Sequence, residues 1–403
     1  MLYYKRYKTH QDKTRKGTGH TLEAEHKTEK TPFIEKLRIR GFFAPYVLVT
    51  DGIFVFSLLV YLVSRFCSPF AEFWARYPSQ AVRFVLAKLT GVLHFSFAEW
   101  FILCLPFTVA LYMVFSARSM KKDESVTNYY RWTHPLLCGL ALLLSLFFCV
   151  FGPCYFRAPL SENLGLEDKE VTAEQLYDTA AAVSDEIKAL ESEVLFRFDA
   201  GSVMPYDYDT LVKHINDAYT EFAKTENFLS HFSSYPKPLA SSSFFTHTHI
   251  SGVYTFMTGE ANINLNYPDF IRPYTMAHEM AHQRGIAKEE DANMIAFLVC
   301  IGSKDPYVRY SGYFSMLDYL TDALYLADPD LYATFRDNEM PGTSFGEFNA
   351  YALFFRPYQN SPVSEVTSAI NDVYLNSQGE KSGSGSYGLV VDLAVSYFEK
   401  IKK

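Results

Sequence analysis

The sequence predicts a multi-pass membrane protein, with three transmembrane helices followed by an α-rich α+β domain that contains a small sheet. Three observations lead to this fold class. Long apolar stretches with at most one charged residue are confined to the first 156 residues. The remainder repeats apolar residues at a helical period over much of its length, and one short segment alternates apolar and polar residues. At 403 residues, the chain has room for two or three structural units.

The membrane region covers residues 42–156, and we place its three helices at about 43–65, 95–117 and 132–156. Segments 100–117 and 132–156 contain no charged residue, whereas the first span contains Asp51. An uncharged stretch of about 18 residues or more can cross the roughly 30 Å hydrocarbon layer as a helix. A polar segment precedes the first span, so we do not expect a cleaved signal peptide.

The distribution of basic residues predicts the orientation in the membrane. Segment 1–41 carries eleven Lys and Arg and is predicted to be a disordered tail. The short loop after the second span contributes four more basic residues, Arg118, Lys121, Lys122 and Arg131. Because cytoplasmic loops are enriched in Lys and Arg, the tail and this loop are predicted to be cytoplasmic. The domain 157–403 of this cell-membrane protein is then extracytoplasmic.

The domain 157–403 is predicted to be mostly helical. We expect its main helices at 172–196, 209–224, 308–327, 362–377 and 386–403. The alternation in Ala261-Asn262-Ile263-Asn264-Leu265-Asn266 predicts a half-buried strand. This strand is expected at the edge of the sheet, either pairing with an extended peptide or as an ordinary edge strand. Between the first two spans, amphipathic segments 70–74 and 81–87 are expected in the membrane interface or packed under the domain.

The segment His278-Glu279-Met280-Ala281-His282 has the H-E-x-x-H spacing of a zinc-binding helix. Residues four apart lie on one side of a helix, so both imidazoles would face one metal ion. Glu279 would stand beside that ion as the general base for a metal-bound water. Thr275 is a possible N-cap, and Gly285 suits a left-handed turn after the helix. The alternative is a surface helix that carries two incidental histidines.

The third zinc ligand is expected from a second helix, at about 288–301. Position 288 is a lysine, which rules out a third histidine there. Glu289 is the favoured ligand and Asp291 the next candidate, while Glu290 would be solvated. Asn293 shares a helical face with Glu289 and could hydrogen-bond a ligand. Alternatively, this acidic run only complements the positive end of the helix dipole.

Glu289, Ala292 and Asn293 follow the zinc helix in a pattern that resembles the gluzincin arrangement of zinc peptidases. The wider sequence resembles a bacterial membrane protein family, domain of unknown function 3810, in segments 252–254, 258–262, 273–293 and 386–388. That family has a glutamate where this chain has Asp291, a departure that further favours Glu289 as the ligand. The resemblance implies a metallopeptidase with an α-rich, zincin-like α+β domain.

Hydrolysis at a zinc ion develops an oxyanion, which benefits from a second hydrogen-bond donor. Candidate donors are Tyr387, Arg284, His247 and His249. The function expected is a membrane-anchored Zn²⁺-dependent metallopeptidase that cleaves peptide bonds outside the cytoplasm. The alternative is a non-enzymatic membrane sensor or scaffold with a structural or vestigial zinc site. The lipid bilayer and a peptide or protein substrate are the expected partners, with no nucleic acid; the oligomeric state is left open.

Overall fold

The computed structural model of the chain describes residues 45–167, 169–197, 201–359, 361–378 and 387–402. The predicted cytoplasmic tail 1–41 lies outside these residues. The first five helices are α1 (Pro45–Phe66), α2 (Ser68–Arg76), α3 (Pro78–Gly91), α4 (Phe97–Lys122) and α5 (Val126–Val150).

Helices α1, α4 and α5 are long and apolar enough to cross a membrane, and α5 continues as a 3-10 helix over Gly152–Phe156. The three predicted spans are therefore confirmed as apolar helices, and they indicate that the protein is membrane-associated. Helix α4 extends to Lys122 and α5 begins at Val126, so both helices continue beyond the apolar segments that predicted them. A helix can continue past the apolar layer, because charged side chains at its ends reach into water. The predicted amphipathic segments 70–74 and 81–87 lie within α2 and α3.

The rest of the described chain is mostly helical. Its helices are α6 (Leu160–Leu164), α7 (Ala173–Leu190), α8 (Tyr208–Thr225), α9 (Ser242–Thr246), α10 (Arg272–Gln283), α11 (Glu289–Ile301), α12 (Pro306–Ala327), α13 (Pro329–Asn338), α14 (Gly342–Phe355), α15 (Pro362–Gln378) and α16 (Tyr387–Lys402). Short 3-10 turns occupy Glu191–Glu193 and Asp269–Ile271. All five predicted helices are present, but the one predicted at 172–196 ends at Leu190, and its last residues form a 3-10 turn and then a strand. Helix α7 begins with a capping box in which the side chains of Thr172 and Gln175 bond each other's backbone amide.

Two small sheets complete the domain. Strands β1 (Leu195–Arg197) and β2 (Gly201–Val203) form an antiparallel pair. The second sheet has the order β3-β5-β4, where β3 (Lys237–Pro238) runs parallel and β4 (Gly252–Thr255) antiparallel to β5 (Glu260–Ile263). The small sheet predicted for the domain is thus present.

The prediction of an edge strand at 261–266 is wrong, because β5 is the central strand of its sheet and all four of its residues are buried. Its polar positions do not face solvent. Asn262 donates to the Val253 carbonyl at 3.0 Å, and Asn264 donates to the Ile250 carbonyl at 2.9 Å. Buried amides that are hydrogen-bonded in this way imitate the alternation of a half-exposed strand.

The domain packs around one large hydrophobic core, whose buried residues extend from Leu160 to Phe398. Helices α7 and α12 pack against each other, and α11 lies between α10 and α12. Helix α11 is therefore enclosed by neighbours, with few of its residues left at the surface. The packing of this enclosed helix fixes the position of the candidate site.

The domain is joined to one end of the membrane helices by charged and polar contacts. The Glu260 carboxylate accepts hydrogen bonds from the amides of Phe97 (3.0 Å) and Ala98 (2.7 Å), which begin α4. In return, Glu99 accepts from the amides of Ala240 (2.9 Å) and Ser241 (2.6 Å). Carboxylates bonded to free amides at a helix start are favourable, so these bonds fix the start of α4 to the sheet.

Candidate metal centre

Helices α10 and α11 carry the candidate metal ligands. His278 and His282 are one turn apart on α10, and Glu289 is the first residue of α11. Gly285 connects the two helices with φ +87°, which confirms the predicted left-handed turn. Thr275 is not the N-cap, because Pro273 in the first turn lets α10 begin at Arg272 and places Thr275 inside the helix.

The ligand atoms of these three side chains converge. The Nε2 atoms of His278 and His282 are 3.0 Å apart. Glu289 places Oε2 3.2 Å from Nε2 of His278 and Oε1 3.6 Å from Nε2 of His282. One ligand atom from each residue lies within 4.8 Å of the other two. Two imidazole nitrogens and a carboxylate oxygen are a donor set that zinc takes at catalytic sites, so the residues fit such an ion.

A second hydrogen bond sets the tautomer of His282. Its Nδ1 lies 2.7 Å from the Ile286 carbonyl oxygen, which can only accept. Nδ1 therefore carries a proton, so that when the ring loses its second proton the lone pair is on Nε2, which faces His278 and Glu289. Such a bond to the far ring nitrogen is typical of metal-binding histidines. Nδ1 of His278 is buried and has no hydrogen-bond partner within the described residues.

The electrostatics of the three residues favour positive charge at the point where they meet. Burial opposes protonation of His282, but the Glu289 carboxylate outweighs it and raises the pKa of His282 to about 9. Burial also acts to raise the pKa of Glu289, yet the two histidines hold it well below its usual range. Glu289 is thus ionised in the folded protein, and the cluster can stabilise a cation.

Glu279 lies on the same helix between the two histidines, and it is almost completely buried. Burial raises the pKa of its carboxyl group, against the opposing effect of His278 and His282. Its Oε2 is a buried atom without a hydrogen-bond partner in the described part of the chain. A buried, unpaired carboxylate oxygen beside a candidate metal site is placed to accept a proton from a bound molecule.

The family described as protein of unknown function (DUF3810) matches residues 75–395, which is well over half of the chain. The chain belongs to the DUF3810 family. The matched segment contains the second and third apolar helices as well as the candidate ligands. Curated proteins and solved structures gave no match.

In this DUF3810 protein the candidate metal centre lies next to the end of a membrane helix. The ring of Phe151, the residue that follows α5, is centred 6.2 Å from the His282 ring and 5.3 Å from the Tyr254 ring. Phe151 belongs to a buried cluster that also contains Tyr61 of α1 and Ala287 of the loop before α11. The sequence does not predict this contact, because nothing in the local pattern around Phe151 distinguishes it from the other apolar residues of the span.

Two more predicted residues of the DUF3810 chain lie near the centre without joining its ligand atoms. Asp291 lines a small cavity with Arg157 and Gly285, and burial raises the pKa of Asp291 to about 7. The backbone carbonyl of Asn293 accepts a hydrogen bond from the Tyr274 hydroxyl at 3.0 Å. The expectation that Glu290 is solvated is wrong: its side chain is buried, because α11 has neighbours around most of its surface.

The four candidate oxyanion donors of the DUF3810 chain are placed differently. Arg284 is buried, lies over the ring of Tyr219 at 4.2 Å, and donates to His231, to the Phe232 carbonyl and to the Met280 carbonyl. Its donors are therefore used inside the core. His247 and His249 pack on Tyr358 and Phe355 respectively. Tyr387 begins α16, and its side chain lies outside the described residues.

Proposed function

We propose that this protein is a membrane-anchored zinc-dependent metallopeptidase with a zincin-like domain that acts on the extracytoplasmic side. One observation carries the proposal: His278, His282 and Glu289 bring three lone-pair atoms within 4.8 Å, beside the buried carboxylate of Glu279. Without a metal, a proton on His282 offsets the repulsion among these atoms, since Glu289 raises the pKa of His282 to about 9, and a bound cation can take the place of that proton. A carboxylate adjacent to such a cation is the arrangement that metal-assisted hydrolysis requires.

The residues have separate roles in the proposed reaction. His278, His282 and Glu289 hold the zinc ion. When bound, zinc polarises the scissile carbonyl and makes water a stronger acid. Glu279 takes the proton of the attacking water and delivers it to the leaving amine. The Phe151 ring covers one side of His282 and excludes bulk water there, which strengthens the electrostatic interactions of this histidine.

Strand β4 is the proposed guide for the substrate backbone. Among the described strands it has β5 as its neighbour on one side only. Its Tyr254 amide is close enough to Glu279 to stabilise the carboxylate form. A peptide that extends the sheet along β4 would therefore run past the proposed base, as strand addition to an open sheet edge allows. This role moves from the segment 261–266 to β4.

The proposed orientation is supported by the opposite ends of the membrane helices. Helix α4 ends with Lys121 and Lys122, at the short turn that leads to α5. The domain instead contacts the start of α4 at Phe97 and the end of α5 at Phe151. The basic turn and the domain are thus at opposite ends of these helices. Because Lys and Arg are enriched on the cytoplasmic side of membrane proteins, this arrangement supports a domain outside the cytoplasm.

Zinc binding to the purified full-length protein in detergent tests the metal site independently of cleavage. A competition titration with a chromophoric chelator should give about one zinc per wild-type chain. His282→Ala should lose most of this binding, whereas His214→Ala, a variant of a histidine that pairs with Asp305, should keep it. Equal zinc binding by wild type and His282→Ala would exclude the proposed centre. Zinc binding without any cleavage would favour the scaffold function.

A further inference from the structure

A second cavity lies away from the candidate metal centre, between the loop after α9 and the chain that joins α14 to α15. Its volume is about 440 Å³. Arg356, His247 and Ser361 give it polar groups, and Phe244 and Val363 give it apolar walls together with two prolines. We call it the Arg356 cavity. A cationic group beside apolar walls is suited to an amphiphilic anion.

The Arg356 cavity is close to the proposed outer surface of the membrane. Phe244, which lines the cavity, donates its amide to the Ser241 carbonyl at 2.9 Å. Ser241 in turn donates its own amide to Glu99, in the first turn of the membrane helix α4. Trp100, the next residue of α4, is exposed, as expected for an aromatic side chain at the membrane–water interface. One short chain of contacts therefore connects the cavity wall to the interface.

The charge of Arg356 is available to a ligand. Arg356 is exposed, and no ion pair or side-chain hydrogen bond links it to another residue of the described chain. A guanidinium group presents its N–H donors in a planar fork that matches two oxygens of a phosphate. The hydroxyl of Ser361 and the ring of His247 can supply further hydrogen bonds at the same cavity.

Exposed apolar side chains line the cavity and follow it along the flanking helices. Phe244 is 57% exposed and Val363 is 41% exposed. One helical turn from Arg356 and from Val363, Leu353 and Val366 are also exposed, at 55% and 60%. Exposed apolar side chains near a helix of membrane-spanning length are suited to contact with lipid.

We propose that the Arg356 cavity binds the phosphate headgroup of a phospholipid from the adjacent leaflet. The phosphodiester is held by Arg356, with Ser361 and His247 as additional hydrogen-bond partners, and the glycerol and first acyl carbons cover Phe244 and Val363. This site does not depend on the metal centre or on peptidase activity. It would hold α14 and α15 against the membrane surface.

The test is the binding of short-chain dihexanoyl phosphatidylglycerol to the detergent-purified full-length protein, followed by isothermal titration calorimetry. Loss of the charged hydrogen bonds in Arg356→Gln should weaken binding by roughly 10-fold or more. Val363→Asp, which adds a negative charge to the cavity wall, should weaken it as well. Arg336→Gln, a matched change at an exposed arginine that pairs with Asp337, should bind like wild type.

Two further ligands separate the possible sources of binding. Dihexanoylglycerol, which lacks the phosphate, should not bind measurably, and inorganic phosphate should bind more weakly than the phospholipid. Equal binding of the phospholipid by wild type and Arg356→Gln would overturn the proposal. It would also fail if dihexanoylglycerol bound as tightly as the phospholipid, or if inorganic phosphate did, since the site would then recognise only apolar surface or only a free anion.

Discussion

Gly252 of β4 and Glu279 of α10 approach so closely that a side chain at position 252 has no room. A Cβ atom there would lie 2.6 Å from Cγ and 2.7 Å from Oε1 of Glu279. It would also lie 2.7 Å from Cγ2 of Thr275, one turn earlier on the same helix. Glycine at this position thus allows β4 to pack directly against the proposed base and to fix its position. The contact connects the strand proposed to guide substrate with the residue proposed to move protons.

Gly252→Ala should therefore displace the Glu279 carboxylate and reduce peptide cleavage while the metal ligands stay in place. A displacement of about 1 Å at a reacting group can lower the rate roughly 100-fold. The measurement is kcat on a peptide substrate together with zinc content. Gly346→Ala on α14 is the control, because a Cβ there meets no atom within 4 Å. Unchanged cleavage by Gly252→Ala would contradict the assigned position of the base.

The third ligand can be identified by comparing two carboxylates of α11. Glu289→Gln should lower zinc affinity by more than about 100-fold, since loss of even a supporting group costs 10- to 100-fold. Asp291→Asn should retain zinc, because Asp291 faces a small cavity with Arg157 rather than the two histidines. Zinc content by mass spectrometry of the purified variants measures both. The reverse result would assign the ligand to Asp291.

The bond between Glu260 and the start of α4 should contribute to the stability of the whole protein. Glu260 is buried and accepts from the amides of Phe97 and Ala98, so Glu260→Gln leaves one amide with a poorer partner. We expect a loss of roughly 1–2 kcal/mol and a fall of several degrees in Tm. Glu221→Gln, at an exposed pair with Lys224, should leave the Tm unchanged. Equal Tm values for Glu260→Gln and Glu221→Gln would show that the contact does not contribute to stability.

His231 should make the protein less stable as the pH falls below neutrality. Burial, followed by the charges of Arg284 and Lys88, lowers the pKa of His231 to about 3, whereas an unfolded histidine titrates near 6.5. Between these values the unfolded chain binds a proton that the folded protein does not, so stability falls as pH falls. The loss from this residue between pH 7 and pH 5 is roughly 1–2 kcal/mol.

Thermal melting at a series of pH values tests this assignment. His231→Asn can still accept from Arg284 but does not titrate, so its Tm should depend less on pH between 7 and 5 than that of wild type. If His231→Asn followed the wild-type curve, His231 would not be the group responsible.

Local patterns predicted those parts of the molecule that depend on neighbours in sequence. Uncharged runs such as 132–156 predict the apolar helices, because a helix of that length matches the thickness of the bilayer. The spacing of His278 and His282 places both rings on one side of a helix. Gly285 reverses the chain and brings Glu289 back to these rings. The relations among His278, His282, Gly285 and Glu289 span about a dozen residues, within reach of helix geometry.

The remainder depended on contacts between distant segments, which the sequence pattern does not contain. Strand β5 is central because segment 237–238, which is distant in sequence, pairs with the edge of β5 that β4 leaves open. Glu290 is buried because other helices enclose α11, although its position in an acidic run predicted solvent. The placement of Phe151 on His282 joins positions far apart in the chain. Helix α14, which contains Gly342 and Gly346, was not expected because glycine lowers intrinsic helix propensity.

In the proposed reaction, Glu279 acts as a base beside a zinc ion held by His278, His282 and Glu289. The most direct measurement compares wild type and Glu279→Gln for zinc content and for cleavage of a broad peptide library, with Glu221→Gln as a surface control. The wild type, Glu279→Gln and Glu221→Gln should each contain about one zinc per chain. Cleavage should fall by roughly 100-fold or more in Glu279→Gln alone. Equal cleavage by Glu279→Gln and wild type, or the absence of zinc from the wild type, would contradict the account.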